Sequence, residues 1–95
     1  MNIYLTATLN SKPEFTAEVK AVLQNMVIES RKEASCIQYD LHQGITDETL
    51  FVFNEIWESE AALEVHNQQA YIQAFRELIP EKLQAAPAVY LLQKI

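Results

Sequence analysis

The sequence contains one glycine, Gly44, and one cysteine, Cys36, among its 95 residues. A single glycine excludes the glycine-rich loops that bring several backbone amides close to a phosphate. A single cysteine excludes an internal disulfide and fits a reducing compartment, so we expect a cytoplasmic protein. Neither a nucleotide-binding loop nor a disulfide framework therefore explains the stability or the function of this chain.

Basic residues are also scarce, with 7 lysines and arginines against 13 aspartates and glutamates and a formal net charge of −6. Because no basic cluster occurs, nucleic acids and anionic membranes are not expected as partners. The first residues, MNIYLTATLN, have neither a basic start nor a long apolar run, so no signal peptide is expected. No stretch approaches the ~20 apolar residues of a membrane-spanning helix.

Hydrophobic residues make up 49% of the chain, which is typical of a globular protein. The chain is long enough for one hydrophobic core, and we expect residues 1–95 to form a single domain.

One predicted strand, residues 50–57, is apolar on both faces, because side chains alternate along a strand. Its aromatic face holds Phe51, Phe53 and Trp57, and its aliphatic face holds Leu50, Val52 and Ile56. Glu55 interrupts the aromatic face and Asn54 interrupts the aliphatic face.

Alternating and helical hydrophobic patterns predict the other elements. Further strands are predicted near residues 2–9, 36–42 and 88–95. A first helix is predicted to begin at an N-cap, Ser11, with Glu14 completing a capping box, and to end near Arg31 or Lys32. Ser59 is the predicted N-cap of a second helix, and Pro80 is predicted to end or kink a third.

The resulting order, β-α-β-β-α-α-β, predicts a ferredoxin-like α+β fold with four antiparallel strands and helices on one face of the sheet. Helices can cover only one face of this sheet, yet the strand at 50–57 is apolar on both. Burying roughly 1,000 Å² of mostly apolar surface would favour association. We therefore predict a two-fold homodimer, with parts of the third and fourth strands in the interface.

Four short runs and one single residue occur in order along the chain: Ser30–Glu33, Cys36-x-x-Tyr39-x-Leu41, Glu55-x-Trp57, Ala62-Leu63-x-x-His66, and then Phe75. Together they resemble the antibiotic biosynthesis monooxygenase (ABM) family. The resemblance implies a dimeric α+β barrel with a pocket between sheet and helices. It also implies an oxygenase without a cofactor, since characterised members oxidise phenolic or quinol-like aromatics in this way. Other members degrade haem or isomerise small sugar-derived signals, so the resemblance does not fix the reaction.

The chain departs from the family pattern at several positions. Ala34 and Ser35 stand where members often have Pro-Gly before the cysteine. Tyr71 stands where quinol-oxidising members often have a second histidine. Haem-degrading members have a tryptophan at the position of His66 and a histidine near Arg76. The absence of both residues from this chain argues against haem degradation.

His66 and Glu55 are the candidate catalytic residues. His66 is the predicted base or hydrogen-bond partner of a substrate. Glu55 lies on an apolar strand face, where a carboxylate needs a partner or a raised pKa, so it is a candidate acid or base that orients His66 or the substrate. The candidate substrate-binding residues are Trp57, Tyr71, Asn54 and Phe75.

Each candidate also has a purely structural explanation. His66 near a helix end can simply complement the helix dipole, and Glu55 can form an ion pair with Arg31. Trp57 and Tyr71 can be core residues. The remaining charged run, Arg31–Glu33, is most simply the solvated end of the first helix.

Two classes of function therefore remain open. One is a cofactor-independent monooxygenase that combines dioxygen with a small electron-rich aromatic. The other is a non-oxidative isomerase or ligand-binding dimer of the same fold. We expect no cofactor and no metal, since the two histidines, His42 and His66, lie on separate elements.

Overall fold

The computed structural model describes residues Met1–Ile95 and confirms the predicted order of elements. The strands are β1 Ile3–Asn10, β2 Cys36–Gln43, β3 Leu50–Trp57 and β4 Ala88–Leu92; the helices are α1 Thr16–Ser30, α2 Glu60–Asn67 and α3 Ala70–Lys82. A short 3-10 turn, Pro13–Phe15, precedes α1. None of the helices has the length and apolar character needed to cross a membrane.

The four strands form one antiparallel sheet in the order β2-β3-β1-β4. The two central strands, β1 and β3, pair along their whole length, so that Ala7 lies opposite Phe53 and Leu5 opposite Glu55. Directly opposed residues share a face of the sheet. This arrangement confirms the predicted ferredoxin-like α+β fold.

The core lies on the helix-covered face of the sheet. Every second residue of β3 is buried there, in the predicted aromatic register. The buried hydrophobic side chains from the sheet include Leu5, Leu9, Tyr39, Phe51, Phe53 and Trp57, and those from the helices are Val19, Leu23, Met26, Leu63, Ile72 and Phe75. Burying a side chain of this size contributes about 1.5–3 kcal/mol, so this face supplies most of the stabilisation.

The opposite face of the sheet carries no helix. Val52 and Ile56 of β3 lie there and are only partly buried. Residues of β4 on this face, Tyr90 and Leu92, are about half exposed, at 54% and 50%. The predicted second apolar face is therefore present and is uncovered in the single chain.

Two predicted boundaries, at Ser11 and at the end of β4, need correction, and of the two alternatives predicted for Pro80 the structure excludes a helix end. Lys12, not Ser11, precedes the 3-10 turn, because Ser11 extends the sheet: its amide donates to the carbonyl of Thr49. The buried hydroxyl of Ser11 instead shares a 2.8 Å hydrogen bond with the hydroxyl of Thr16. Pro80 lies inside α3, which continues to Lys82, and β4 ends at Leu92 rather than at residue 95.

Candidate functional site

A cavity of about 500 Å³ lies between the helix-covered face of the sheet and the helices α2 and α3. Its wall is mostly apolar and includes Leu5, Phe53, Ile72 and Phe75. The polar and charged residues in the wall are Glu55, His66, Asn67 and Arg76. A chamber of this size, largely apolar with a few polar groups, suits a small organic ligand.

Helix α2 delivers His66 to this cavity. The hydroxyl of Ser59 accepts a hydrogen bond from the amide of Ala62 at 3.1 Å, which confirms the predicted N-cap. His66 lies in the last turn of α2 and is buried. Its ring packs against the indole of Trp57, with 4.3 Å between ring centroids, and against the ring of Tyr39 at 5.5 Å.

One nitrogen of the His66 ring is held by Glu33. The distance from Nδ1 of His66 to Oε2 of Glu33 is 2.7 Å. The hydroxyl of Tyr71 hydrogen-bonds the same carboxylate oxygen, and the amide of Gln69 donates to Oε1 of Glu33 at 3.3 Å. Glu33 therefore belongs to the site, and the prediction that it lies in a solvated helix end is wrong.

The other nitrogen of the His66 ring, Nε2, makes no hydrogen bond within the chain. Every fully buried side-chain nitrogen or oxygen atom in the structure has a partner. Nε2 must therefore retain accessible surface, and His66 lines the cavity. Burial lowers the pKa of His66, while the hydrogen bond and the charge of Glu33 oppose this change.

Glu55 lies on β3, buried among apolar side chains of the same cavity wall. Its Oε1 atom accepts a 2.8 Å hydrogen bond from the indole nitrogen of Trp57. Burial raises the pKa of Glu55 to about 7, an effect that the Trp57 hydrogen bond opposes and the charge of Glu33 reinforces. The carboxyl group can therefore gain or lose a proton near neutral pH.

The ion pair proposed from the sequence between Glu55 and Arg31 does not form. Arg31 instead donates to the carbonyl of Tyr39 at 3.1 Å and pairs with Asp40 at 3.1 Å. The reason is positional, since Arg31 lies 58% exposed just beyond the end of α1 whereas Glu55 faces the core.

The structure brings together some of the predicted substrate-binding residues and separates others. Phe75 lines the cavity, whereas Trp57 and Tyr71 do not and instead contact His66 and its partner Glu33. Asn54 lies on the opposite face of the sheet, where its side-chain oxygen accepts a 3.1 Å hydrogen bond from Thr6. Alternation along β3 places Asn54 and Glu55 on different faces, so Asn54 does not reach this cavity.

Other reactive residue types lie apart from the cavity. No group of three or more histidine, cysteine, aspartate or glutamate residues is placed to hold a metal ion. Cys36 is partly buried, and its burial raises the pKa of the thiol to about 11.

The sequence profile of the antibiotic biosynthesis monooxygenase family matches residues 2–78. The chain belongs to the ABM family. The match covers β1 to most of α3, and therefore both His66 and Glu33. Four further residues of the cavity wall, Ile79, Pro87, Val89 and Leu91, lie beyond it.

Similar proteins agree with this ABM assignment. A Bacillus subtilis protein named "Putative monooxygenase YcnE" is 40% identical over 73 residues, which is 77% of either chain. An uncharacterised Synechocystis protein, sll1783, is 34% identical over 98% of this chain and 63% of its own length, so the chain spans less than two thirds of that relative. The crystal structure of PA3566 from Pseudomonas aeruginosa superposes with a TM-score of 0.93 at 33% identity, covering 99% of this chain and 94% of that one. Of these three relatives, the Bacillus subtilis protein is the one whose name gives an activity.

Proposed function

We propose that this chain is a cofactor-independent monooxygenase that oxidises a small electron-rich aromatic, of the quinol or phenol class, inside the cavity. The observation that carries the proposal is that His66 lines a mostly apolar cavity and that its Nε2 atom makes no hydrogen bond within the chain. A base at such a wall can take a phenolic proton from a ring that the apolar residues hold in place.

The reaction begins with transfer of the phenolic proton to Nε2 of His66. The resulting phenolate gives one electron to dioxygen, and the two radicals combine at a ring carbon. The imidazolium of His66 returns its proton to the peroxide that this bond creates. Loss of the hydrogen on that ring carbon together with hydroxide, as water, then leaves a carbonyl, so one oxygen atom enters the product and the other leaves as water. The substrate supplies all four electrons that reduce dioxygen and the two hydrogen atoms of the water, so no further reductant is needed. The mostly apolar wall favours this sequence where it keeps water away from the radical pair, and a second chain that covered the exposed β4 side would add to this effect.

Glu55 is the second polar group that a bound ring would meet. With a pKa raised to about 7, its carboxyl group is partly protonated at neutral pH. The protonated form can donate a hydrogen bond to a substrate oxygen, and the ionised form can accept one. In this proposal Phe75 contacts the ring, while Trp57 and Tyr71 hold His66 and Glu33 rather than the substrate.

Oxygen consumption tests the proposal directly. The purified protein should consume dioxygen with some members of a panel of quinols and anthrone-type phenols, and ¹⁸O₂ should label the product carbonyl with a single oxygen atom. Binding of panel members without oxygen consumption would contradict the monooxygenase proposal and support the non-oxidative alternative. Product without ¹⁸O label would contradict it as well.

A further inference from the structure

The His66–Glu33 pair lies between the cavity and a groove on the protein surface. His66 lines the interior cavity, with a side chain that is 4% exposed. Glu33 lies in the connection between α1 and β2, with a side chain that is 14% exposed, and it lines a surface groove beside α2. A tight turn fixes its backbone, since its amide donates to the carbonyl of Ser30 at 3.0 Å and its carbonyl accepts from the amide of Cys36 at 3.1 Å.

The hydrogen bonds around Glu33 constrain where the protons lie. An ionised carboxylate only accepts hydrogen bonds, so its partners must donate. Gln69 has amide protons and Tyr71 has a hydroxyl proton to donate. When Glu33 is ionised, its 2.7 Å contact with Nδ1 of His66 is a hydrogen bond only if Nδ1 carries a proton.

We propose that Glu33 is a positioning residue that fixes His66 in the Nδ1–H tautomer and so leaves the lone pair of Nε2 facing the cavity. The role of Nε2 as the base depends on the proposed function, but the tautomer is a property of the resting protein. When Nε2 accepts a proton, the imidazolium forms beside a carboxylate that is already in place to stabilise it.

Several other ionisable groups surround the His66 ring, on every element packed against it. Tyr39 of β2 and Tyr71 of α3 contact the ring, and Glu55 of β3 bonds the indole that packs on it. Arg76 of α3 lowers the pKa of His66, as burial does, whereas Glu33 raises it. Removal of the Glu33 charge should therefore lower the pKa of His66 further.

Nitrogen-15 NMR of the imidazole rings tests the tautomer without any substrate. In the wild-type protein above the pKa of His66, long-range ¹H–¹⁵N correlations should show a protonated Nδ1 and an unprotonated Nε2. An Nε2–H tautomer in the wild-type spectrum would overturn the proposal, and this measurement needs no variant.

Two variants extend the test. Glu33→Gln should lower the pKa of His66 measured in the same spectra. Glu33→Asp keeps the negative charge, so the pKa of His66 in that variant should lie between the wild-type and Glu33→Gln values. Glu29→Gln is the matched control, because it removes a carboxylate from α1 that pairs with Lys32 and does not contact His66. An unchanged pKa and tautomer in a folded Glu33→Gln protein would overturn the positioning role.

Turnover separates this proposal from the proposed function. If His66 is the base, Glu33→Gln should reduce oxygen consumption by about 10²-fold and shift the His66 limb of the pH profile, with Glu29→Gln unchanged. An Nδ1–H tautomer in a protein that consumes no oxygen with any panel member would support the positioning role and contradict the monooxygenase proposal. If substitution of His66 itself abolishes turnover, a wild-type rate and pH profile in Glu33→Gln would contradict the positioning role alone.

Discussion

In the proposed mechanism the two ring nitrogens of His66 have different tasks, and one substitution can separate them. The amide of asparagine can replace the Nδ1 donor toward Glu33 but offers nothing at the position of Nε2. We expect His66→Asn to remain folded and to lose about 10²–10⁴-fold in turnover, the usual contribution of a general base. The measurement is steady-state oxygen consumption, with circular dichroism to confirm folding.

The matched control for His66→Asn is Val65→Ala on the same helix. Val65 is 60% exposed and lies outside the cavity wall, so its truncation should leave turnover unchanged. A folded His66→Asn protein with a wild-type rate would remove His66 from the mechanism, and Glu55 would then be the remaining acid–base candidate in the cavity wall.

The raised pKa of Glu55 predicts a pH-dependent stability. Its pKa of about 7 in the folded protein lies above the ordinary value of 4.5 that the unfolded chain restores. Between these values the folded state binds more protons than the unfolded state, so the free energy of unfolding falls as the pH rises from 4.5 to 7. Glu55→Gln removes this loss, so its stability relative to wild type should increase over that range by up to about 3 kcal/mol.

Urea unfolding of both proteins at several pH values measures this difference. Subtracting the two curves cancels the opposite contribution of His66, whose lowered pKa makes stability rise with pH in the acid range. Ile72→Val, in the same cavity wall, removes volume but no titrating group, so its difference from wild type should not change with pH. A constant difference for Glu55→Gln would show that the pKa of Glu55 is the same in the folded and unfolded states, and would contradict the raised value.

Sequence reasoning found Glu55 but missed Glu33, and the reason is physical. Glu55 interrupts an apolar strand face, and alternation alone indicates that it is buried. Glu33 follows Arg31 and Lys32 at a helix end, where charged residues are usually solvated. Its partner His66 lies 33 residues away, and only the packing of α2 against the sheet brings them together. Glu33 does fall within one of the runs that resemble the ABM family.

Among the elements, α2 has the clearest link between a local sequence signal and the site. It is eight residues long, so it is marginal alone and depends on its cap and on packing. Ser59→Ala removes the hydrogen bond to the amide of Ala62 and should cost about 0.5–2 kcal/mol in the free energy of unfolding. Ser59→Asn, which retains a cap, should cost much less. Equal losses for the two variants would contradict the capping role.

Local sequence patterns predicted the presence of each helix and strand better than the residues at which they begin and end. The strand pattern of β3 and the cap of α2 depend on adjacent residues, and both are confirmed. The predicted cap at Ser11 failed because the sheet recruits Ser11 through Thr49 and Leu83, which are distant in sequence. Pro80 does not stop α3, which makes its last backbone hydrogen bond from Leu83 to the carbonyl of Ile79.

At the scale of the whole molecule, the uncovered face of the sheet is the main feature that one chain leaves unexplained. Directly opposed pairs on this face include Tyr4 with Ile56, Thr8 with Val52, and Tyr4 with Leu92. On the other face of β4, Val89 and Leu91 line the cavity and are still 56% and 59% exposed. The β4 side of the molecule is therefore apolar on both faces and open to water, which a monomer would rarely tolerate.

We expect a second copy of the chain to cover the open face, so that the protein sediments at twice its mass of 10.9 kDa. Val52→Lys places a charge at the centre of that face on β3, where dimer formation would leave it buried without a partner. It should convert the protein to a folded monomer at micromolar concentration in sedimentation equilibrium. Ile45→Lys is the matched control, because Ile45 is 98% exposed in the β2–β3 connection and the substitution should leave the dimer intact. A wild-type chain that sediments as a monomer would contradict the predicted dimer and leave the open apolar face of β3 unexplained.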